Sequence, residues 1–277
     1  KAADQGNAVA QNNLGWMYQE GRGVDQDDAE AAVWCRKAAD QGNPMAQYNL
    51  GWIYQEGRGV DQDDAEAVVW YRKAAEQGNP TAQKSLGWMY QEGRGVDQDD
   101  AEAVVWYRKA ADQGNAVAQS NLGWMYERGR GVERDEAEAV ARYRNAARQG
   151  NAIAQRNLGR MYRDGLGIAQ DDAEAVDWYR KAAEQGDSIA QRNLAQMHMQ
   201  GRGVALNHTE ALSWYRKAAV QGDAVAQCAL GRIYQDGEVV EQDDAQAQTW
   251  YRKATEAGES CAEDISNSPE SQTPDSM

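Results

Sequence analysis

Tryptophan and arginine are the residues in this sequence best equipped to grip another molecule, and both recur at one position. The residue directly after each Leu-Gly pair is Trp16, Trp52, Trp88 and Trp124, then Arg160, Gln196 (here after Leu-Ala) and Arg232. A position that accepts Arg and Gln is not deep core, so the four indoles are expected to be at least partly exposed. Indoles stack, guanidinium groups fork onto carboxylates, and both types are enriched where binding energy concentrates. Three residues before each Gly stand Asn12, Tyr48, Lys84, Ser120, Arg156, Arg192 and Cys228. Three residues after the Trp position come Gln19, Gln55, Gln91, Glu127, Arg163, Met199 and Gln235. The candidate partner-binding set is therefore Trp16, Trp52, Trp88, Trp124 and Tyr48 with Arg156, Arg160, Arg163, Arg192 and Arg232. The competing reading is that each Trp packs on its neighbour in the next copy and only stiffens the chain.

Other chemistry finds little support. The Asp-Gln-Asp-Asp loops at 25–28, 61–64 and 97–100 lack the central Gly and distal Glu of a calcium loop. His198 and His208 are the only histidines, with no third ligand at a recognisable spacing. Cys35, Cys228 and Cys261 are odd in number and too scattered for a disulfide framework. No phosphate loop, dinucleotide fingerprint or nucleophile elbow occurs. We expect no metal, no cofactor and no enzyme.

The elements behind these positions are repeats. Leu-Gly-x-x-Tyr begins at Leu14, Leu50, Leu86, Leu122, Leu158 and Leu230, with Leu-Ala-x-x-His at Leu194, and every start lies 36 residues after the last. Asn7, Asn43, Asn79, Asn115 and Asn151, then Asp187 and Asp223, stand where a helix N-cap belongs, followed twice by Pro44 and Pro80. A first helix, A, runs on the stripe Ala10, Leu14, Met17 and Tyr18 and ends at Gly21 and Gly23. A second, B, starts at Asp27 with Glu30 three residues on, a capping-box pattern, and carries Ala31, Trp34, Cys35 and Ala38 inward. Its Trp series (Trp34, Trp70, Trp106, Trp178, Trp214, Trp250) reads as core, and Arg142 puts that position at the core's rim. The invariant Ala38 series and Gly15 series are small where helices meet, and the Arg36 series sits near the end of helix B, complementing its dipole.

The expected fold is all-α, an α-solenoid with repeats at about 7–42, 43–78, 79–114, 115–150, 151–186, 187–222 and 223–258. Residues 1–6 match the end of a helix B from a preceding copy, leaving an open end, and 259–277 reads as an acidic disordered tail. Of 277 residues, 29 are Lys or Arg and 44 Asp or Glu, so the net charge of −15 argues against nucleic acid as a partner. No run is long and apolar enough for membrane insertion. Residues 1–126 hold 11 basic and 19 acidic side chains, 127–253 hold 18 and 19, and 254–277 hold six acids and no base.

The unit A-x-Q-x-N-L-G-x-M-Y-x-x-G-x-G-V-x-x-D-x-A-E-A-V-x-W-Y-R-K-A-A-x-Q-G-N resembles the Sel1-like repeat, a relative of the tetratricopeptide repeat, over residues 1 to about 258. The resemblance implies a right-handed superhelix whose helix A residues line a concave face used to hold proteins or peptides. Members serve in bacterial signalling, host–pathogen contacts and eukaryotic degradation complexes, and the fold does not choose among these. The cysteine-stapled branch of the family is not matched.

These readings combine into a scaffold or adaptor whose groove is aromatic in its first half and cationic in its second, suited to a peptide with apolar and acidic stretches. One alternative is a self-assembling module that forms a homodimer through its open end and Trp face. Another is an acidic tail folded back onto the Arg-bearing half. The sequence carries no sign of compartment.

Overall fold

Every copy becomes two helices for reasons visible at its ends. The computed structural model describes residues 1–261, and these form 14 helices of 13 residues each. There is no strand among the described residues. Two compact units divide the chain, Lys1–Gln149 and Gly150–Met277. The first holds α1 (Ala8–Glu20), α2 (Asp28–Asp40), α3 (Pro44–Glu56), α4 (Asp64–Glu76), α5 (Pro80–Glu92), α6 (Asp100–Asp112), α7 (Ala116–Arg128) and α8 (Glu136–Arg148). The second holds α9 (Ala152–Asp164), α10 (Asp172–Glu184), α11 (Ser188–Gln200), α12 (His208–Val220), α13 (Ala224–Asp236) and α14 (Asp244–Glu256). Odd-numbered helices are the A members and even-numbered ones the B members. Within each unit every helix packs on the one before it and the one after it, so each unit is a run of α-solenoid repeats.

Asn43 caps α3 as its spacing predicts, its side chain accepting from the Ala46 N–H while Pro44 opens the helix. Gly57 ends it at φ 65°, a left-handed conformation that a β-carbon resists. Asp63 then caps α4 by accepting from the Glu66 N–H. The reciprocal half of the expected capping box does not form. The Asp63 N–H donates to Tyr54 O, and Asp27 does the same to Tyr18 O, so Glu30 and Glu66 have no backbone donor left to reach. The loop between A and B thus closes back on helix A.

Between paired helices the core is small residues against large ones. A β-carbon at Gly51 would sit 2.7 Å from the Tyr71 ring, and Gly87 stands likewise at 2.8 Å from Tyr107. Leu86, Met89, Tyr107 and the Ala74, Ala110, Ala146, Ala182 and Ala218 series are buried, each large side chain worth about 1.5–3 kcal/mol of burial. Cys35 takes the place of this Tyr in the first repeat and is a buried free thiol. The helix B Trp series is core in part: Trp70, Trp106 and Trp214 are buried, whereas Trp34, Trp178 and Trp250 are half-buried. Arg142 is half-buried at that rim, paired with Glu138 at 2.6 Å.

Residues 1–6 keep the register of a helix B end without being an α-helix. Gly6 N–H donates to Ala3 O and Asn7 N–H to Ala2 O, as Gly42 and Asn43 do to Ala39 and Ala38. His208, expected in a loop, opens α12. Of the expected tail, residues 262–277 lie outside the described residues.

Candidate interaction surface

The Trp position is partly open to solvent on helix A, and each indole there has an arginine companion. Arg22 lies over the Trp16 ring at 4.8 Å, Arg58 over Trp52 at 5.5 Å, Arg94 over Trp88 at 5.1 Å and Arg130 over Trp124 at 5.1 Å. Each arginine comes from the Gly-x-Gly loop that follows the same helix. Arg58, Arg94 and Arg130 also reach back 30 residues to Asp28, Asp64 and Asp100 at 3.2, 2.9 and 2.9 Å, the first residues of α2, α4 and α6. The indoles of Trp52, Trp88 and Trp124 thereby stack with a cation that is itself paired to the preceding repeat. Trp16 is 41% exposed, and Trp52, Trp88 and Trp124 are half-buried with their inner edges on the core. In the first unit the structure therefore sets four Trp at equivalent positions of α1, α3, α5 and α7.

Tyr48 belongs less to that row than its type suggests. Its ring packs against the core Tyr71 at 5.7 Å, and burial raises its phenol pKa.

In four of the repeats the Asn12 position fastens one repeat to the next. Asn12 accepts from the Asn49 amide at 2.9 Å. In the second unit, Arg156 ion-pairs with Asp187 at 3.1 Å and Arg192 with Asp223 at 3.4 Å, side chains that are 5–16% exposed. Asp187 and Asp223 are the N-caps of the following A helices. They are also the two caps that are Asp rather than Asn, and each follows a repeat with Arg at the Asn12 position. That covariation is in the sequence and was its own signal. Arg156 and Arg192 are thus engaged between repeats. Arg163 binds the neighbouring Asp164 at 2.7 Å, Arg160 lies 3.8 Å from Met161 Sδ, and Arg232 donates to the Cys261 carbonyl at 3.3 Å.

Cys228, at the Asn12 position of the last repeat, is bonded to Cys261. The spacing of the cysteines gave no disulfide framework, and the structure holds this single bridge with Cys35 left as a free thiol. A separation of 33 residues places Cys261 where the next A helix would begin, so the two meet across one repeat spacing.

Two further fasteners were invisible within a single copy. A buried Gln on helix A donates to a carbonyl of the preceding helix B and accepts from the Gln that ends its own helix B: Gln83 donates to Ala75 O at 3.0 Å and accepts from Gln113 at 2.7 Å. The Arg36 series does more than complement a dipole. Arg108 donates to Tyr126 Oη at 2.9 Å and Arg216 to Tyr234 Oη at 2.6 Å, each in the following repeat.

Seven consecutive matches to the Sel1 repeat model cover residues 8–43, 44–79, 80–115, 116–151, 152–187, 188–223 and 224–259, each one residue later than the boundaries read from the sequence. The chain belongs to the Sel1 repeat family. It is similar to a protective antigen present in uropathogenic Escherichia coli strains, whose crystal structure displays an SLR fold, at 44% identity over 93% of this chain and a TM-score of 0.86. The match spans 55% of the antigen's length. It is also similar to a Sel1 repeat protein from Oxalobacter formigenes, at 32% identity, a TM-score of 0.79 and coverage of 94% and 99% of the two chains. Yeast Tom70 shares the fold at 15% identity over 91% of this chain and 51% of its own, with a TM-score of 0.51. No curated protein matches the chain.

Sel1 repeat proteins are generally protein-interaction scaffolds, and the fold is generally non-catalytic. Among the described residues no helix is long and apolar enough to cross a membrane, and no group of three or more His, Cys, Asp or Glu side chains is arranged to hold a metal ion.

Proposed function

We propose that this Sel1 repeat chain is a non-catalytic adaptor that holds a protein or peptide in the groove lined by its A helices. In the first unit the grip comes from Trp16, Trp52, Trp88 and Trp124, and in the second from the positions of Arg160 and Arg232. One observation supports this most: four large aromatic side chains stay part-exposed at equivalent positions, each steadied by an arginine. An indole fixed before binding loses little rotamer freedom when a partner arrives, which favours affinity. Because Arg156, Arg163 and Arg192 already face carboxylates, the aromatic row carries more of the proposal than the cationic set.

The test is capture of partners on immobilised protein, comparing the parent with the Trp52→Ala/Trp88→Ala double variant at matched helicity. Polypeptides held by the parent are expected to be lost from the variant, a drop of tenfold or more in affinity. Equal capture by both would sink the reading. In light scattering, a concentration-dependent dimer that vanishes in Trp16→Ala would instead favour self-assembly through the same face.

A further inference from the structure

Past the last helix the chain keeps the register of a repeat that it does not complete among the described residues. Glu259 N–H donates to Ala254 O, the bond that Asp223 N–H makes to Ala218 O where the seventh repeat begins. Two residues later Cys261 meets Cys228 on α13. Cys228 occupies the position from which Arg192 reaches the next A helix. The disulfide is thus a covalent version of a junction made elsewhere by hydrogen bonds and ion pairs. One helical turn along α13 stands Arg232, at the Trp position of its repeat, and it donates to the carbonyl of Cys261 at 3.3 Å. The part-exposed side chain of the last repeat is therefore engaged by the protein's own backbone, and the bridge to Cys228 keeps that backbone in place.

We propose that Cys228–Cys261 is a thiol-controlled clasp: closed, it holds residues 259–261 over Arg232, and opened by reduction it releases Arg232 to bind a carboxylate of an acidic peptide. The proposal rests on the reading of the A-helix faces as a peptide-holding surface. Cys228 is buried and Cys261 half-buried, so attack is assigned to the sulfur of the more exposed residue, Cys261. A thiolate of a small dithiol bonds to it, the Sγ–Sγ bond breaks, and Cys228 leaves as a thiolate that takes a proton. The second thiol of the reductant then displaces Cys261 Sγ, which is protonated in turn. Two electrons and two protons pass to the protein, and the reductant departs as a cyclic disulfide. Arg232, no longer tied to a tethered carbonyl, regains the fork geometry that suits a carboxylate.

The experiment uses the full chain, oxidised or treated with dithiothreitol. Amide hydrogen exchange is read at Glu259, and fluorescence anisotropy is read with dye-labelled hexaglutamate as probe. Reduction is expected to speed Glu259 exchange at least tenfold and to tighten probe binding about fivefold. Cys261→Ser should behave as the reduced protein with or without dithiothreitol, and Arg232→Gln should lose the gain in affinity. Either Glu259 exchange or probe binding that does not respond to reduction overturns the clasp. Partner capture through Trp52 and Trp88 is read on the other unit, so its success or failure stands separately.

Discussion

Arg94 sits over the indole of Trp88 at 5.1 Å while its guanidinium grips Asp64 of the preceding repeat at 2.9 and 3.0 Å. One side chain thus ties the part-exposed Trp88 to the packing between repeats. Replacing it with Met keeps the stem but removes both the ring contact and the ion pair. Since the pair is about a third exposed, we expect a loss of only about 1–1.5 kcal/mol, with a lower urea midpoint and altered Trp fluorescence. Arg202→Met is the control: Arg202 binds Asp172 at 2.7 Å but its repeat carries Gln196 in place of Trp, so its cost should be smaller. Equal costs would show that the indole contact adds nothing.

The Gln fastener is incomplete at the last repeat. Gln227 donates to Ala219 O at 2.9 Å, but its Oε1 is buried with no partner, because Ala257 stands where Gln221 and its equivalents end the other B helices. Ala257→Gln should supply the missing donor and stabilise the second unit by about 0.5–1.5 kcal/mol in urea denaturation. A neutral or destabilising effect would mean that the gap is filled by solvent.

Arg192 and Asp223 should act as a unit. Asp223→Asn alone restores the cap found in the first five repeats but leaves a guanidinium in a half-buried position without its carboxylate. We expect a loss of about 1–2 kcal/mol, shrinking towards zero in an Arg192→Ser background, so that a double-mutant cycle returns a coupling above about 0.5 kcal/mol. Additive losses would reduce the pair to coincidence.

His198 replaces the Tyr of the other repeats and is 4% exposed, with neither ring nitrogen hydrogen-bonded to a side chain. Burial lowers its pKa below 6.5 and the nearby Arg180 lowers it further, against opposing effects of Glu210 and the Ala205 backbone. In the unfolded chain this imidazole takes a proton as pH falls through about 6.5, before the folded one does. The unfolded state then binds more protons, so stability is full above that pH and declines as pH drops towards the lowered folded value. His198→Tyr should remove this slope from thermal melts between pH 7 and 5, and should allow a bond to Arg180 like that of Arg216 to Tyr234.

Much of this molecule was readable from one repeat placed over another. Asn43, Pro44, Gly57 and Asp63 each act locally, through their own backbone or a neighbour three residues away, and the structure realises them as their types predict. Asp27 shows the limit of local reasoning: Glu30 is correctly spaced for a capping box, yet the N–H it would need is taken by Tyr18. The partners of Arg94, Gln83 and Arg192 lie 30 or 31 residues away, near one repeat length, so a consensus of single copies hides them. Cys261 was masked for another reason. It falls just past the last full copy, in sequence without periodicity, where no repeat position announced its partner.

Gly59 belongs to the loop that presents Arg58, and a β-carbon there would overlap the main-chain carbonyl of Asp28 in the repeat before. Gly95 and Gly131 stand in the same relation to Asp64 and Asp100. The step from one helix pair to the next is therefore gauged by backbone against backbone. The Trp side chain does not set it: where Gln196 replaces Trp, Gly203 keeps the same relation to Asp172, whereas in the last repeat Val239 stands at this position. Where the glycine gauge is kept, a point substitution at the Trp position changes the chemistry of the exposed surface without altering how neighbouring helix pairs fit.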